Sequence, residues 1–344
     1  MLHYSSSKVA GKAKTKWLSL VLLGAVFATP VMAQTATPLV GNDLVAFLEQ
    51  VQKASVSNDY SGVFTYQQGE QIMSSRVTHI VDGEGVKERL ELLDGDPQEY
   101  LRTNDVVQCL MPEQKKIVLT PARKDRFPAF LQTEATHLNQ YYTATLSGKK
   151  ERVAGYECQQ LELAPRTLDR YGYRLCVDVK TKLLLRSQTV GLDNKVVEQI
   201  TFTGLVMGKD VDTALLQSGY KLNDWVVEKE ELVSVDFARE GWKLRAPQGY
   251  VPILSIIRPK GTNQRVKHLI LSDGLSSISV FVQKVTEAEK TLQAHGAVQV
   301  GSLNVFRQRV DDYWVTVIGA VPMDTLEEMA VSAKFIPPVS SKLN

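Results

Sequence analysis

Between Ser61 and Met207 the chain is written in a period of two. The stretch "SGVFTYQQGEQIMSSRVTHIVDGEGVKERLELLDG" alternates strand-like runs with the turn pairs Gln68-Gly69, Asp82-Gly83 and Asp94-Gly95. Glycine at such points supplies the positive φ that tight hairpins require. "DVVQCLMPEQKKIVLTP", "YYTATLSGKKERVAGYECQQLEL", "DRYGYRLCVDVKTKLLLRS" and "KVVEQITFTGLVM" continue the pattern, and "RFPAFLQTEATHLNQYY" interrupts it with a short helix. Ahead of the strands, Leu44, Phe47, Leu48 and Val51 recur at helical spacing behind Asn42 or Asp43 as cap. An amphipathic helix must cover something apolar. The expected fold is α+β and mainly β: a large antiparallel sheet, open or partly closed, wrapped around a helix.

The pattern weakens over residues 206–235, read as a linker between a larger unit at 34–205 and a smaller one at 236–344. The second unit carries "RVKHLILSDGLSSISVFVQKV" around Asp273-Gly274, then "AVQVGSLNVFRQRV" and "YWVTVIGAV" around Asp311-Asp312. "MDTLEEMAVSAKFI" reads as a closing helix capped by Asp324 or Thr325. About five strands with one or two helices make a small α+β domain.

Residues 1–33 read as a signal peptide. Lys8, Lys12, Lys14 and Lys16 precede an apolar core from Leu18 to Phe27, and "VMAQ" places the cut after Ala33. The core is well short of the ~20 residues a spanning helix needs. With the leader and its four lysines removed, 36 basic side chains face 38 acidic ones, a net charge of −2. That balance offers no basic surface for nucleic acid. An exported, oxidising compartment is expected.

That compartment bears on the cysteines. As a hairpin, "ERVAGYECQQLEL" and "DRYGYRLCVDVK" put Leu161, Leu163, Tyr171, Tyr173, Leu175 and Val177 on one face. Cys158, Gln160, Glu162, Arg174 and Cys176 fall on the other. A register opposing Leu163 to Tyr171, Leu161 to Tyr173 and Gln160 to Arg174 opposes Cys158 to Cys176, within disulfide reach. The expected pairing is Cys158–Cys176, leaving Cys109 as a buried small residue. A redox enzyme would show Cys-X-X-Cys, and a zinc site would need more His or Cys nearby.

No catalytic or metal motif stands out. His79, His137, His268 and His295 are scattered one per segment, and no His-Glu-X-X-His, Gly-X-Ser-X-Gly or phosphate-binding loop occurs. His268 near Ser272 and Asp273 reads as a strand entering a hairpin turn rather than a triad. Neither an enzyme nor a bound cofactor or metal is expected. The apolar stripe is the better lead. Phe64, Tyr66, Leu90, Leu92, Leu161, Leu163, Tyr171, Tyr173 and Leu175 would share one face of the first sheet, as core or as the lining of a lipid-binding groove.

"YSGVFTYQQGEQIMSSRVTHIVDGEGVKERLELLDG", "DRYGYRLCVDVKTKLLLRS", "VVEQITFTGL" and "VKHLILSDGLSSISVFVQ" resemble, in order, the periplasmic sigma-E regulatory proteins of the RseB/MucB family. The resemblance implies a larger N-terminal domain like the lipoprotein carriers LolA and LolB, and a smaller C-terminal domain that helps to grip the periplasmic region of the anti-sigma factor RseA or MucA. It implies a periplasmic negative regulator of the envelope-stress response. Such a regulator shields the anti-sigma factor from site-1 proteolysis and is released by lipopolysaccharide or lipoprotein acyl chains. A periplasmic lipid or lipoprotein carrier is the alternative, and a homodimer is left open.

Overall fold

A computed structural model describes residues 35–122, 127–132, 135–229, 232–260, 264–291 and 295–337. The expected leader and its cleavage site lie outside these residues. The chain opens with β1 (Thr37–Leu39) and α1 (Asn42–Ser57), then runs through β2 (Tyr60–Gln68), β3 (Gln71–Asp82), β4 (Gly85–Leu92), β5 (Glu99–Thr103), β6 (Val106–Met111) and β7 (Lys116–Pro121). After the short α2 (Leu138–Tyr141) follow β8 (Tyr142–Val153), β9 (Tyr156–Pro165), β10 (Gly172–Asp178), β11 (Leu184–Val190), β12 (Val196–Met207) and β13 (Val226–Lys229). All thirteen strands form one sheet in the order β1-β8-β9-β10-β11-β12-β2-β3-β4-β5-β6-β7-β13. Its ends, β1 and β13, pair inward only, so the sheet is unclosed.

Helix α1 fills the concave side. Leu44, Leu48 and Val51 fall on one helical stripe and are at most 1 % exposed, packed in one cluster with Leu161, Leu163, Tyr173, Leu175 and Val177. Burial of each such side chain contributes about 1.5–3 kcal/mol, so the helix is held by its apolar stripe rather than by its ends. Neither expected cap operates. Gly41 occupies the N-cap of α1 and no side chain bonds to the first turn, while Asn42 and Asp43 lie inside the helix. Gly41 enters at φ 53°, a conformation glycine accepts without a Cβ penalty.

The second sheet takes β14 (Val233–Ser234), β16 (Val251–Lys260), β17 (Gln264–Ser272), β18 (Ser277–Lys284), β19 (His295–Val300), β20 (Leu303–Val310) and β21 (Tyr313–Gly319), with β15 (Trp242–Lys243) preceding β16. Its order is β14-β16-β17-β18-β21-β20-β19, seven strands where about five were expected. Helix α3 (Met323–Val331) buries Leu326, Met329 and Ala330 in the cluster that holds Val280, Phe306, Val315 and Val317. The last strand, β22 (Lys334–Phe335), pairs with β15. Pro322 stands at the N-cap of α3. Asp324 and Thr325 lie inside the helix, and the Thr325 hydroxyl instead donates to the carbonyl of Asp169 at 3.0 Å.

The described residues of the stretch read as a linker carry regular structure. Within it, β13 adds to β7 in parallel, and a 3-10 turn at Thr213–Leu216 lies against β3 and β4. The pinning point is a buried ion pair, Arg89 Nη2 to Glu99 Oε1 at 2.6 Å. Arg89 also donates to the carbonyl of Leu215, and Glu99 accepts the amide of Gly219. Two strands of alternating sequence thus present a charged pair to a segment that has no alternation of its own.

The cysteines pair as expected, Cys158 with Cys176 at a Cα separation of 5.4 Å, and Cys109 is free and buried. The strand register differs by two residues from the expected one. Leu163 opposes Tyr173, Leu161 opposes Leu175, and Cys176 opposes Gln160, so the disulfide runs diagonally between neighbouring strands. A slip of two keeps every side chain on its face. Residues 166–171 lie outside both strands, and Arg170 among them is paired with Asp273. The cysteine face is also not polar at this point: Cys158 and Cys176 are 0 % and 1 % exposed and belong to a cluster with Val153, Leu183 and Leu185.

Candidate functional site

The cross-strand pairing runs Leu161, Leu175, Ser187, Ile200, Tyr66, and again Phe202, Phe64, Ser75, Leu92. Eight of the nine residues of the apolar stripe therefore share one face of the first sheet. Tyr171 does not; it precedes β10, and its hydroxyl accepts a hydrogen bond from Asn304 in the second sheet at 3.4 Å.

Their surroundings divide them further. Leu161 and Leu163 are fully buried beneath α1. Phe64 joins Phe127 and Phe202 in an aromatic group, with centroids 5.2 and 6.0 Å from its own. Leu90 packs at the edge of that group's cluster, and Leu92 is half-buried opposite Ser75. Tyr66, Tyr173 and Leu175 line a cleft of about 440 Å³. One wall is the concave face of the first sheet, with Phe127, Leu184 and Ile200; the other belongs to the second sheet, with Ser277, Ser279 and Ile318. Leu275, from the turn between β17 and β18, closes one side.

A polar knot borders the cleft. Tyr66 and Ser302 hydroxyls both donate to Glu198 Oε2, at 2.7 and 2.6 Å, and the Thr189 hydroxyl donates to Oε1 at 2.9 Å. Burial, then the adjacent Glu198 carboxylate, push the Tyr66 hydroxyl far above its ordinary range, so it stays a donor. Gln68 donates to Ser302 from the first sheet, and its side chain fills the space above Gly301, where a Cβ would stand 2.3 Å from it.

A second knot ties the sheets together. Arg170, 0 % exposed, donates to Asp273 Oδ2 at 2.9 Å, to Asp169, and to the carbonyl of Gln248 at 2.6 Å. Its guanidinium lies 4.7 Å from the Tyr141 ring centroid and 5.1 Å from that of Tyr250. Burial opposes its charge, but the bonds to Asp169 and the attraction of Asp273 outweigh it and raise its pKa. Tyr142 donates to the same Asp273 oxygen at 2.7 Å, and the amide of Gln132 donates to the Gly274 carbonyl at 2.9 Å. Gly249, at φ 87°, lets the chain pass over Tyr141, whose ring a Cβ would meet at 2.4 Å.

His268, Ser272 and Asp273 are turn and core residues. His268 stacks on Phe281 with centroids 4.1 Å apart, the Ser272 hydroxyl donates to the Ser276 carbonyl, and Asp273 is turned toward Arg170. Among the described residues no group of three or more His, Cys, Asp or Glu is placed to hold a metal ion. No described helix is long and apolar enough to cross a membrane.

The second-sheet wall and both knots were not legible in the strand pattern. One signal was present: Leu275 is a large apolar residue in the turn "SDGLSS", where a solvent-facing hairpin would carry a polar one.

An unclosed sheet around a helix, a smaller second sheet and a cleft of mixed polar and apolar lining where they meet define a class, a two-sheet β-rich protein built around a shared interior. The chain belongs to the MucB/RseB family: its N-terminal domain model matches residues 43–220 and its C-terminal domain model residues 236–334. The sigma factor AlgU regulatory protein MucB of Pseudomonas aeruginosa is 30 % identical, over 92 % of this chain and 96 % of that one. The sigma-E factor regulatory protein RseB of Escherichia coli K12 is 26 % identical over 88 % of this chain and 92 % of its own. Among solved structures, MucB in complex with the periplasmic part of MucA superposes with a TM-score of 0.66 at 27 % identity, covering 84 % of this chain and 98 % of that one. MucB alone gives 0.61 at 26 % identity, covering 86 % and 99 %.

Proposed function

We propose that this protein is a periplasmic negative regulator of an envelope-stress sigma factor. It binds the periplasmic region of an anti-sigma factor of the RseA/MucA kind and keeps that region from the first proteolytic cut. The observation that carries this reading is the likeness, over 84 % of this chain and 98 % of the other, to a MucB that is solved in complex with MucA. Residues 34–205 with the structured connection form the ligand-sensing part, and residues 236–344 contribute to the grip on the partner. Acyl chains of displaced envelope lipids or lipoproteins are the releasing signal. Linkage sets the condition: a lipid dissociates the complex only if it binds the free regulator more tightly than the bound one.

The test is retention of the purified protein by the immobilised periplasmic segment of the anti-sigma factor encoded by the same organism. Retention at micromolar concentration is expected, with lipid-dependent release. No retention at that concentration overturns the reading. The cleft favours a second reading, a carrier of acyl cargo. A carrier would deliver lipid to an acceptor in the absence of any anti-sigma segment.

A further inference from the structure

We propose that the acyl-chain site is bipartite, a slot for one aliphatic chain between the two sheets whose depth is set by Leu275 at the tip of the β17–β18 hairpin. The proposal rests on the lipid reading above and specifies where that ligand lies. The first sheet has little free interior of its own. Leu161, Leu163 and Val177 are occupied by α1, and Phe64 by Phe127 and Phe202. Among the described residues the seam holds an open space of about 440 Å³, and it has two owners: Ile200, Leu184 and Phe127 on one side, Ile318, Ser277 and Ser279 on the other. That volume sits at the low end of the ~300–1,000 Å³ of small-molecule pockets and suits a single chain rather than a multi-chain anchor.

Leu275 belongs to the second sheet by sequence and to the first by packing. It is 8 % exposed and lies in the cluster of Leu44, Leu161 and Tyr173. Three ties hold the tip there: Gln132 to Gly274, and both Arg170 and Tyr142 to Asp273. A chain that fills the slot therefore touches both sheets at once. Its binding is sensitive to how the hairpin is seated, which a pocket inside the first sheet would not be.

The experiment uses the full chain and a neutral-headed probe, N-dodecyl dansylamide, because Glu198 at the rim would repel a carboxylate head. Ile200→Trp fills the slot from the first sheet and Ile318→Trp from the second; each is expected to weaken probe binding at least tenfold. Leu275→Ala deepens the slot and is expected to tighten binding severalfold. Because it only removes atoms, it keeps the test decisive if a Trp variant does not fold, as judged by circular dichroism. Loss with Ile200→Trp but wild-type affinity in both Ile318→Trp and Leu275→Ala overturns the bipartite site and leaves the lipid reading standing. Failure of every form to bind the probe overturns the lipid reading, and the slot with it.

Discussion

Arg170 and Asp273, 103 positions apart in the chain, meet at 2.9 Å with no side-chain surface of either open to solvent. One precedes β10 of the first sheet and the other turns the β17–β18 hairpin of the second. Their pair, with Tyr142 and the Gln248 carbonyl, forms a buried polar tie across the seam. Replacing both partners of a buried pair by apolar residues of similar volume is often neutral or stabilising, but an orphaned partner is costly.

Arg170→Met alone is expected to destabilise the protein by roughly 3–5 kcal/mol, since Asp273 is left buried without its counter-charge. Arg170→Met with Asp273→Leu should recover much of that loss. Urea unfolding of the two single variants and the double variant measures this. Additive single effects would show that the two side chains do not act as a pair.

The staple should show up by counting. Under denaturing, non-reducing conditions one thiol, Cys109, is expected to react, and three after reduction. With the paired cysteines 18 positions apart in sequence, replacing both by Ala should cost ~3 kcal/mol on the loop-entropy model. Three reactive thiols before reduction would refute the pairing.

His79 gives stability a pH dependence. Burial is the main cause that holds its pKa below 6.5, partly offset by its hydrogen bond to the Asn58 carbonyl. The unfolded chain then takes up the proton first. His79's contribution is fully present above 6.5 and declines as pH falls through 6.5 toward the lower folded value. His79→Phe keeps the stacking on Tyr60, seen at a centroid distance of 4.9 Å, and should flatten this part of the profile. Urea midpoints between neutral and mildly acidic pH test it; an unchanged slope in the variant assigns the effect elsewhere.

Glu99→Ala should loosen the connection over residues 206–235. It removes the partner of Arg89 and the acceptor for the Gly219 amide. Limited proteolysis is expected to cut between Lys209 and Lys221 at least severalfold faster, with the strands of both sheets still protected. Equal cutting rates would mean that the segment is held by its apolar contacts alone.

The way Leu161, Leu163, Tyr173 and Leu175 behave shows what alternation can and cannot specify. Their shared face was legible because a pleated strand exposes every second residue to the same side. Their partners were not, because a two-residue slip satisfies alternation equally well. In the observed register Arg170 lies outside the hairpin and pairs with Asp273, a contact across the seam that no local pattern encodes. The same holds for the site: Tyr66 and Tyr173 were readable as inward-facing, whereas Ile318 and Ser279 acquire their role only once two sheets meet. Helix caps failed for a smaller reason. Gly41 in a left-handed conformation starts α1 without any side-chain acceptor, so Asn42 was not needed there.

Strand β13 carries a practical consequence for anyone dividing this chain. It lies beyond residue 207 yet completes the free margin of β7 through the parallel pairs from Val226↔Lys116 to Lys229↔Leu119. A truncation at 205 would strip that margin and bare the unpaired amides and carbonyls of β7, an invitation to stick to neighbouring molecules. An excised N-terminal fragment should run through Lys229 if it is to stay monodisperse.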